Sequence, residues 1–272
     1  MLNHDIQTTE VPKHKKKTPI ILIPGTWCTA EIWGDFVPAL EALGLQVLTP
    51  NLRYHGLPYD EVAKKVGNVS LTEFVDDLSA LLLSLETPPI ILGHSLGGLL
   101  AQLLAARHPD KHKGVILLGT APMAGIFAFY PETTAVFYKH YMKWRLWDKT
   151  LYADKAKFEK YVMNNQTQDD IDDTFAKLVP ESGRVYFEMG FWYLDAKKAA
   201  TVDTDQIQTP VLVITGTDDK IVNANISRAT AKKYANSTLC VFEGSDHMYA
   251  MGEFMPITVN TIKSWLDENH LL

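Results

Sequence analysis

A chain of 272 residues, 46% hydrophobic and 21% charged, holds enough apolar side chain for one large core and suits a single α/β enzyme domain with room for an inserted lid. Its 26 Lys and Arg against 32 Asp and Glu leave a formal net charge of -6, so no basic field gathers phosphates and nucleic acid is not expected as a partner. No stretch approaches the roughly 20 apolar residues that span a bilayer. The two cysteines, Cys28 and Cys240, show neither metal-ligand spacing nor a disulfide pattern, which fits a soluble protein in a reduced, cytoplasmic setting.

Residues 1–18 read as a polar leader whose cluster Lys13-His14-Lys15-Lys16-Lys17 is solvated. The apolar run that follows, 19–24, is too short for a secretory signal, is bounded by prolines and lacks a cleavage site, so it reads as a buried strand. Further β-branched apolar runs come at 45–49, 89–93, 114–119, 210–215 and 238–242. Segments with helical spacing lie between them at 30–43, 71–86, 95–107, 223–235 and 256–268. This alternation predicts an α/β fold, a mostly parallel sheet of about six strands flanked by helices and built by right-handed crossovers. Ser70 with Glu73 three residues on forms a capping box for the second helix, Asn223 or Asn225 caps the fourth, and Pro109 closes the third.

The alternation stops over 122–205. Of the 28 aromatic residues, 17 fall between Phe127 and Tyr193, mixed with Lys and Asp at helical spacing. That pattern predicts a helical cap inserted into a core formed by 19–121 and 206–272. Such aromatics mostly pack, whatever the function, but the insertion falls at the carboxyl ends of the strands, where open sheets place their sites.

Four loops carry chemistry. Gly93-His94-Ser95-Leu96-Gly97-Gly98 sits between a strand and a helix, with glycines two before and two after the serine to relieve crowding in a tight turn; it exposes Ser95 as a nucleophile. After the first strand comes Pro24-Gly25-Thr26-Trp27, a simple turn if taken alone, whose Thr26 amide could join the Leu96 amide in stabilising an oxyanion. The Leu96 N–H also opens a helix, where negative charge is favoured. Thr217-Asp218-Asp219-Lys220 follows the strand at 210–215 and offers a carboxylate to orient a histidine, and Ser245-Asp246-His247-Met248 follows the last strand. Each of these loops has a bland reading; their order Ser, Asp, His on successive strand ends is what makes a triad. His94 packs under the turn more readily than it reacts, His55 borders the pocket or caps a loop, and the remaining histidines, in tails, helix ends or the cap, suit surface roles.

From Pro19 to about Leu266 the chain resembles the α/β-hydrolase superfamily on these same motifs. The resemblance aligns the second acidic residue of Gly216-Thr217-Asp218-Asp219 with the triad acid, so Asp219 is assigned and Asp218 held as the alternative, with His247 as the triad histidine. Pro24-Gly25 stands where the superfamily commonly has His-Gly, and with about 18 polar residues before the first core strand no leading antiparallel hairpin is expected, as in the hydroxynitrile lyases and methylesterases, which likewise begin near this strand. Met248 replaces the lysine that the lyase pattern places after the histidine, which favours the methylesterase side. Ser95 itself argues against the relatives that use an Asp nucleophile.

These readings converge on a serine hydrolase that cleaves a carboxylic ester, lactone or thioester of a small to medium apolar substrate, with no metal or cofactor. The expected pocket takes in Trp27, His94, Met123, Phe127, Trp144, Trp192 and Met248. A hydroxynitrile-lyase-like or cofactor-free peroxidase activity on the same triad, and a non-enzymatic ligand receptor, are the rival readings. The aromatic cap could also serve a homodimer interface.

Overall fold

The computed structural model describes residues 17–272. The expected leader lies outside the described residues as far as residue 16, and Thr18 already belongs to the first strand. In chain order the strands are β1 Thr18–Ile23, β2 Leu45–Leu48, β3 Ile90–His94, β4 Gly114–Leu118, β5 Thr150–Leu151, β6 Glu181–Ser182, β7 Val211–Gly216 and β8 Ser237–Phe242. The helices are α1 Phe36–Ala42, α2 Tyr59–Lys65, α3 Leu71–Ser84, α4 Leu96–Arg107, α5 Pro131–Tyr141, α6 Lys155–Tyr161, α7 Gln168–Ala176, α8 Gly183–Gly190, α9 Ala224–Ala231 and α10 Met255–Glu268.

Six strands form one parallel sheet in the order β2-β1-β3-β4-β7-β8. Each starts and ends within one residue of its apolar run, and for the central four this follows because a strand covered on both faces must be apolar throughout. β1, β3, β4 and β7 are buried at every position, whereas the edge strands β2 and β8 are only partly covered. The period of two divides the core. Ile21, Ile23, Ile91, Val115, Leu117 and Val213 face a layer containing α3, α4 and α9, while Ile20, Leu22, Ile90, Leu92, Ile116 and Ile214 meet Phe36 of α1 and Trp265 of α10.

Two helical expectations need amendment. The segment 30–43 is a 3-10 turn, Ala30–Trp33, followed by α1, because Gly34 breaks the chain at φ 34°. α2 went unrecognised because its seven residues are too few to show a period, although Pro58 at its N-cap is a start signal. Between β4 and β7 the chain forms α5 to α8 and, in addition, a two-stranded antiparallel ribbon of β5 and β6, whose strands are too short for any alternation to be read. Asn223, not Asn225, caps α9, accepting the Asn225 N–H at 3.0 Å.

The sheet order turns at β1, from which the chain steps to β2 on one side and then to β3 on the other. The loops after β1 and β3 therefore diverge and leave a crevice at their carboxyl ends.

The capping box of α3 is complete: Ser70 Oγ accepts the Glu73 N–H at 3.2 Å and Glu73 Oε2 accepts the Ser70 N–H at 3.0 Å. Ser70→Ala is expected to lower stability by about 1 kcal/mol with an unchanged denaturant slope, as measured by urea unfolding.

Candidate active site

Ser95 stands at the crevice in a conformation few non-glycine residues adopt, φ 54° and ψ -119°, as the N-cap of α4. Its neighbours explain how that turn is reached. A Cβ on Gly93 would collide with the Gly97 carbonyl, one on Gly97 with the Ile23 carbonyl, and one on Gly98 with Thr120. Only hydrogen atoms fit where β3, α4 and β1 converge, so the glycines around the serine are required by close packing. The Ser95 N–H donates to the Leu118 carbonyl at 3.0 Å and its own carbonyl accepts from Ala121 at 2.8 Å, which fixes the turn on both sides.

The histidine and its acid meet 2.7 Å apart, His247 Nδ1 on Asp219 Oδ2, both buried. Asp219 is held by three further donors: the Ile221 and Val222 N–H groups on Oδ1, at 3.1 and 2.8 Å, and the Tyr249 hydroxyl on Oδ2, at 2.6 Å. Tyr249 is fixed in turn by accepting the Gly216 N–H at 2.9 Å. A carboxylate on Nδ1 places the proton there and leaves Nε2 as the basic nitrogen. Asp218 is exposed and instead meets Asn165 Nδ2 at 3.3 Å. His94 lies under the site, its ring centroid 4.6 Å from that of His247, and donates its Nε2–H to the His247 carbonyl at 2.9 Å. Burial, and then repulsion from His247, push its pKa down to about 3, so it is a neutral support.

The loop after β1 covers the elbow so closely that a Cβ on Gly25 would press on His94 and Ser95 at 3.1 Å. Trp27 has a left-handed backbone, φ 62°, and its N–H points to the buried carboxylate of Glu181, 3.4 Å away on β6. The same Oε2 meets the Thr26 hydroxyl at 3.4 Å and His55 Nε2 at 3.3 Å, and Thr26 Oγ1 also contacts the Tyr186 hydroxyl at 2.8 Å. Burial lowers the His55 pKa, but the charge and hydrogen bond of Glu181 outweigh it and leave the imidazole more basic than usual. A second clasp holds the other side. Asp246 accepts the Asn165 N–H and the Gln166 side-chain amide, each at 3.0 Å, and Asn165 Nδ2 donates to the Gly244 carbonyl at 2.7 Å. Glu181, Tyr249, Asn165 and Gln166 went unrecognised in the sequence; none sits at a motif spacing.

Above Ser95 lies a cavity of about 370 Å³. Ser95, His247, Thr26 and Leu96 share its wall, with Trp27, His94, Phe127, Trp192 and Met248 from the expected pocket. Met123 and Trp144 are corrections. Met123 is buried in the core beside α4 and outside the wall, and Trp144, in the loop after α5, is 83% exposed to solvent. Cys28 is also on the wall, but burial raises its thiol pKa to about 12 and keeps it protonated. Among the described residues, no cluster of His, Cys, Asp and Glu could hold a metal ion, and no helix is long and apolar enough to cross a membrane.

A parallel sheet, a strained serine elbow after its third strand and an Asp–His pair on later strand ends define an α/β hydrolase. The model of the alpha/beta hydrolase family matches residues 20–256, and the chain belongs to that family. It is 29% identical over 235 residues to the pimeloyl-[acyl-carrier protein] methyl ester esterase of Neisseria meningitidis serogroup B / serotype 15, covering 84% of this chain and 85% of that protein. A pyrethroid hydrolase of Sphingobium wenxiniae is 39% identical over 101 residues, 37% of this chain and 35% of that protein. Among solved structures, an extracellular alpha/beta-hydrolase from a Paenibacillus species superposes with a TM-score of 0.69 at 22% identity, over 90% of this chain and 98% of that one.

His112, expected at the surface, is buried as well, and burial brings its pKa down to about 4. His94 and His112 stay neutral in the fold while the unfolded chain takes up protons below about pH 6.5. Their contribution is therefore complete above that pH and lost as pH falls, by up to about 1.4 kcal/mol per pH unit for each group. Urea unfolding at pH 7, 6 and 5 is expected to show a steepening loss of stability.

Proposed function

We propose that the protein is a serine hydrolase of carboxylic esters, including lactones and thioesters, working through an acyl-enzyme on Ser95, His247 and Asp219. The observation that carries this reading is a nucleophile-type serine and an aspartate-bound histidine on the wall of one largely apolar cavity. His247 Nε2 takes the Ser95 proton as Oγ attacks the ester carbonyl, and Asp219 stabilises the resulting imidazolium. The tetrahedral oxyanion is met by the main-chain N–H groups of Thr26 and Leu96, the latter at the start of α4 where the helix dipole adds to it. His247 then protonates the leaving alkoxide and activates the water that releases the acid. The insertion over 122–205 acts as the cap that makes the apolar pocket. Relatives that carry methyl ester esterase names support an ester with a small alcohol. The thioether of Met248 on the cavity wall, where the lyase pattern has an ammonium, favours hydrolysis. A cytoplasmic setting suits the two free thiols.

Glu181 contributes by holding the loop. Its carboxylate commits the Trp27 N–H, so Thr26 is the amide of this loop assigned to the oxyanion, and His55 balances the carboxylate's charge.

Activated esters of increasing acyl length test this reading. Ser95→Ala is expected to abolish turnover and labelling by a fluorophosphonate; full activity in a clean preparation would sink the proposal. Asp219→Asn should lower kcat by about 10⁴-fold, as the wrong histidine tautomer does elsewhere, while Asp218→Asn stays within a few-fold. Glu181→Ala should lower kcat by about 10²-fold, the scale of a lost oxyanion donor, and Glu181→Gln should recover part of it because the amide oxygen still accepts from Trp27.

A further inference from the structure

Behind the ester cavity lies a second one, of about 300 Å³. The two share Trp27, Phe158 and Val162 as a partition, but their chemistry differs. The second is lined by three ammonium groups, Lys139, Lys143 and Lys157, against the single carboxylate of Asp154, in a chain whose net charge is -6. Asp154 is already engaged as the N-cap of α6, accepting the Lys157 N–H at 3.1 Å. Lys157 is fixed by donating to the carbonyls of Ala135 and Val136 at 2.7 and 3.0 Å, with its Nζ 4.7 Å from the centre of the Tyr138 ring. Lys139 and Lys143 are exposed at the rim and make no ion pair with a carboxylate among the described residues, so both are free to meet an anion.

A second observation concerns polar atoms in the same wall. Trp27 is 3% exposed, and its indole N–H is buried without an acceptor among the described residues. Nδ1 of His140, whose ring lies 6.3 Å from that of Trp27, is likewise buried without a partner. Burial, and then Lys143 and Lys157, push the His140 pKa down to about 4, so the ring is neutral and its single N–H sits on Nδ1 or Nε2. A buried donor left unmet costs about 1–3 kcal/mol. The Trp27 donor, with His140 able to donate in its Nδ1–H tautomer and three lysines beside them, makes a set that an oxyanion satisfies.

We propose that this second cavity is an anion-recognition subsite, taking a carboxylate or phosphate group through Trp27 Nε1, His140 and the lysines. As part of a substrate, the group is the far end of an acid whose other end is the scissile ester, which rests on the ester-hydrolase reading above. As a free ion, it binds beside the ester pocket.

The test compares methyl half-esters of straight-chain dicarboxylic acids with methyl esters of fatty acids of equal length, at fixed ionic strength, in the wild type and in Lys139→Ala/Lys143→Ala. Alongside it, the thermal shift given by inorganic phosphate is measured against chloride. The wild type is expected to favour the anionic ester in kcat/KM by about tenfold or more, chiefly through KM, which is the scale of one charge-assisted hydrogen bond. The ratio should fall to about one in the double variant. A phosphate shift lost in the double variant, with no ester preference, supports the same site with a free ion as its ligand. Absence of both the preference and the shift overturns the proposal. If no ester of either kind is cleaved, the hydrolase reading fails, and the phosphate shift still decides the anion site.

Discussion

The site depends on how closely α4 approaches the ends of β1 and β3. Ile23 pairs with Gly93 in the sheet, and Gly97 at the start of α4 lies so near the Ile23 carbonyl that no side-chain atom fits between them. The turn into the helix must therefore be completed within one residue, and Ser95 takes the left-handed conformation that does so. A residue held in such a conformation costs on the order of 1–3 kcal/mol, offset here by the packed sheet on either side. The same convergence brings the loop of Gly25 and Thr26 against the elbow. The elbow and the loop that lies on it are thus products of one steric constraint.

Two buried carboxylates frame this elbow, and their surroundings separate their roles. Asp219 is saturated by the His247 ring, the Tyr249 hydroxyl and two main-chain N–H groups, so it holds one tautomer of a base. Glu181 faces a more basic imidazole, His55, and the N–H of a strained residue, so it holds backbone.

The parts of this arrangement legible in the sequence are those that local rules dictate. Strands covered on both faces are apolar runs, which is why β1, β3, β4 and β7 could be bounded, and the partly covered edges β2 and β8 keep enough apolar residues to be read beside them. Gly93, Ser95 and Gly97 are read from spacing because the turn brings Gly93 against the Gly97 carbonyl within five residues, although the Ile23 carbonyl that also excludes a side chain at Gly97 lies far off in sequence. Position alone offers Asp218 and Asp219; the family resemblance assigns Asp219 with Asp218 as the alternative, and in the fold Asp219 is the one bonded to His247. Glu181 reaches Trp27 across 154 positions and Gln166 reaches Asp246 across 80, and no local pattern records such pairings. Trp144 misled for the opposite reason: an aromatic among aromatics suggests burial, yet it projects into solvent beyond α5.

The clasps between the insertion and the sheet also bear on how proteins of this shape diversify. Asn165 and Gln166 grip the loops of Asp218 and Asp246, and Glu181 grips the loop of Trp27. The segment that shapes the pocket is therefore not a module that can be exchanged while the machinery beneath stays as it was. A new roof grafted from a relative would have to bring matching polar groups at these three points. Otherwise it would change the alignment of the residues below along with the space above them.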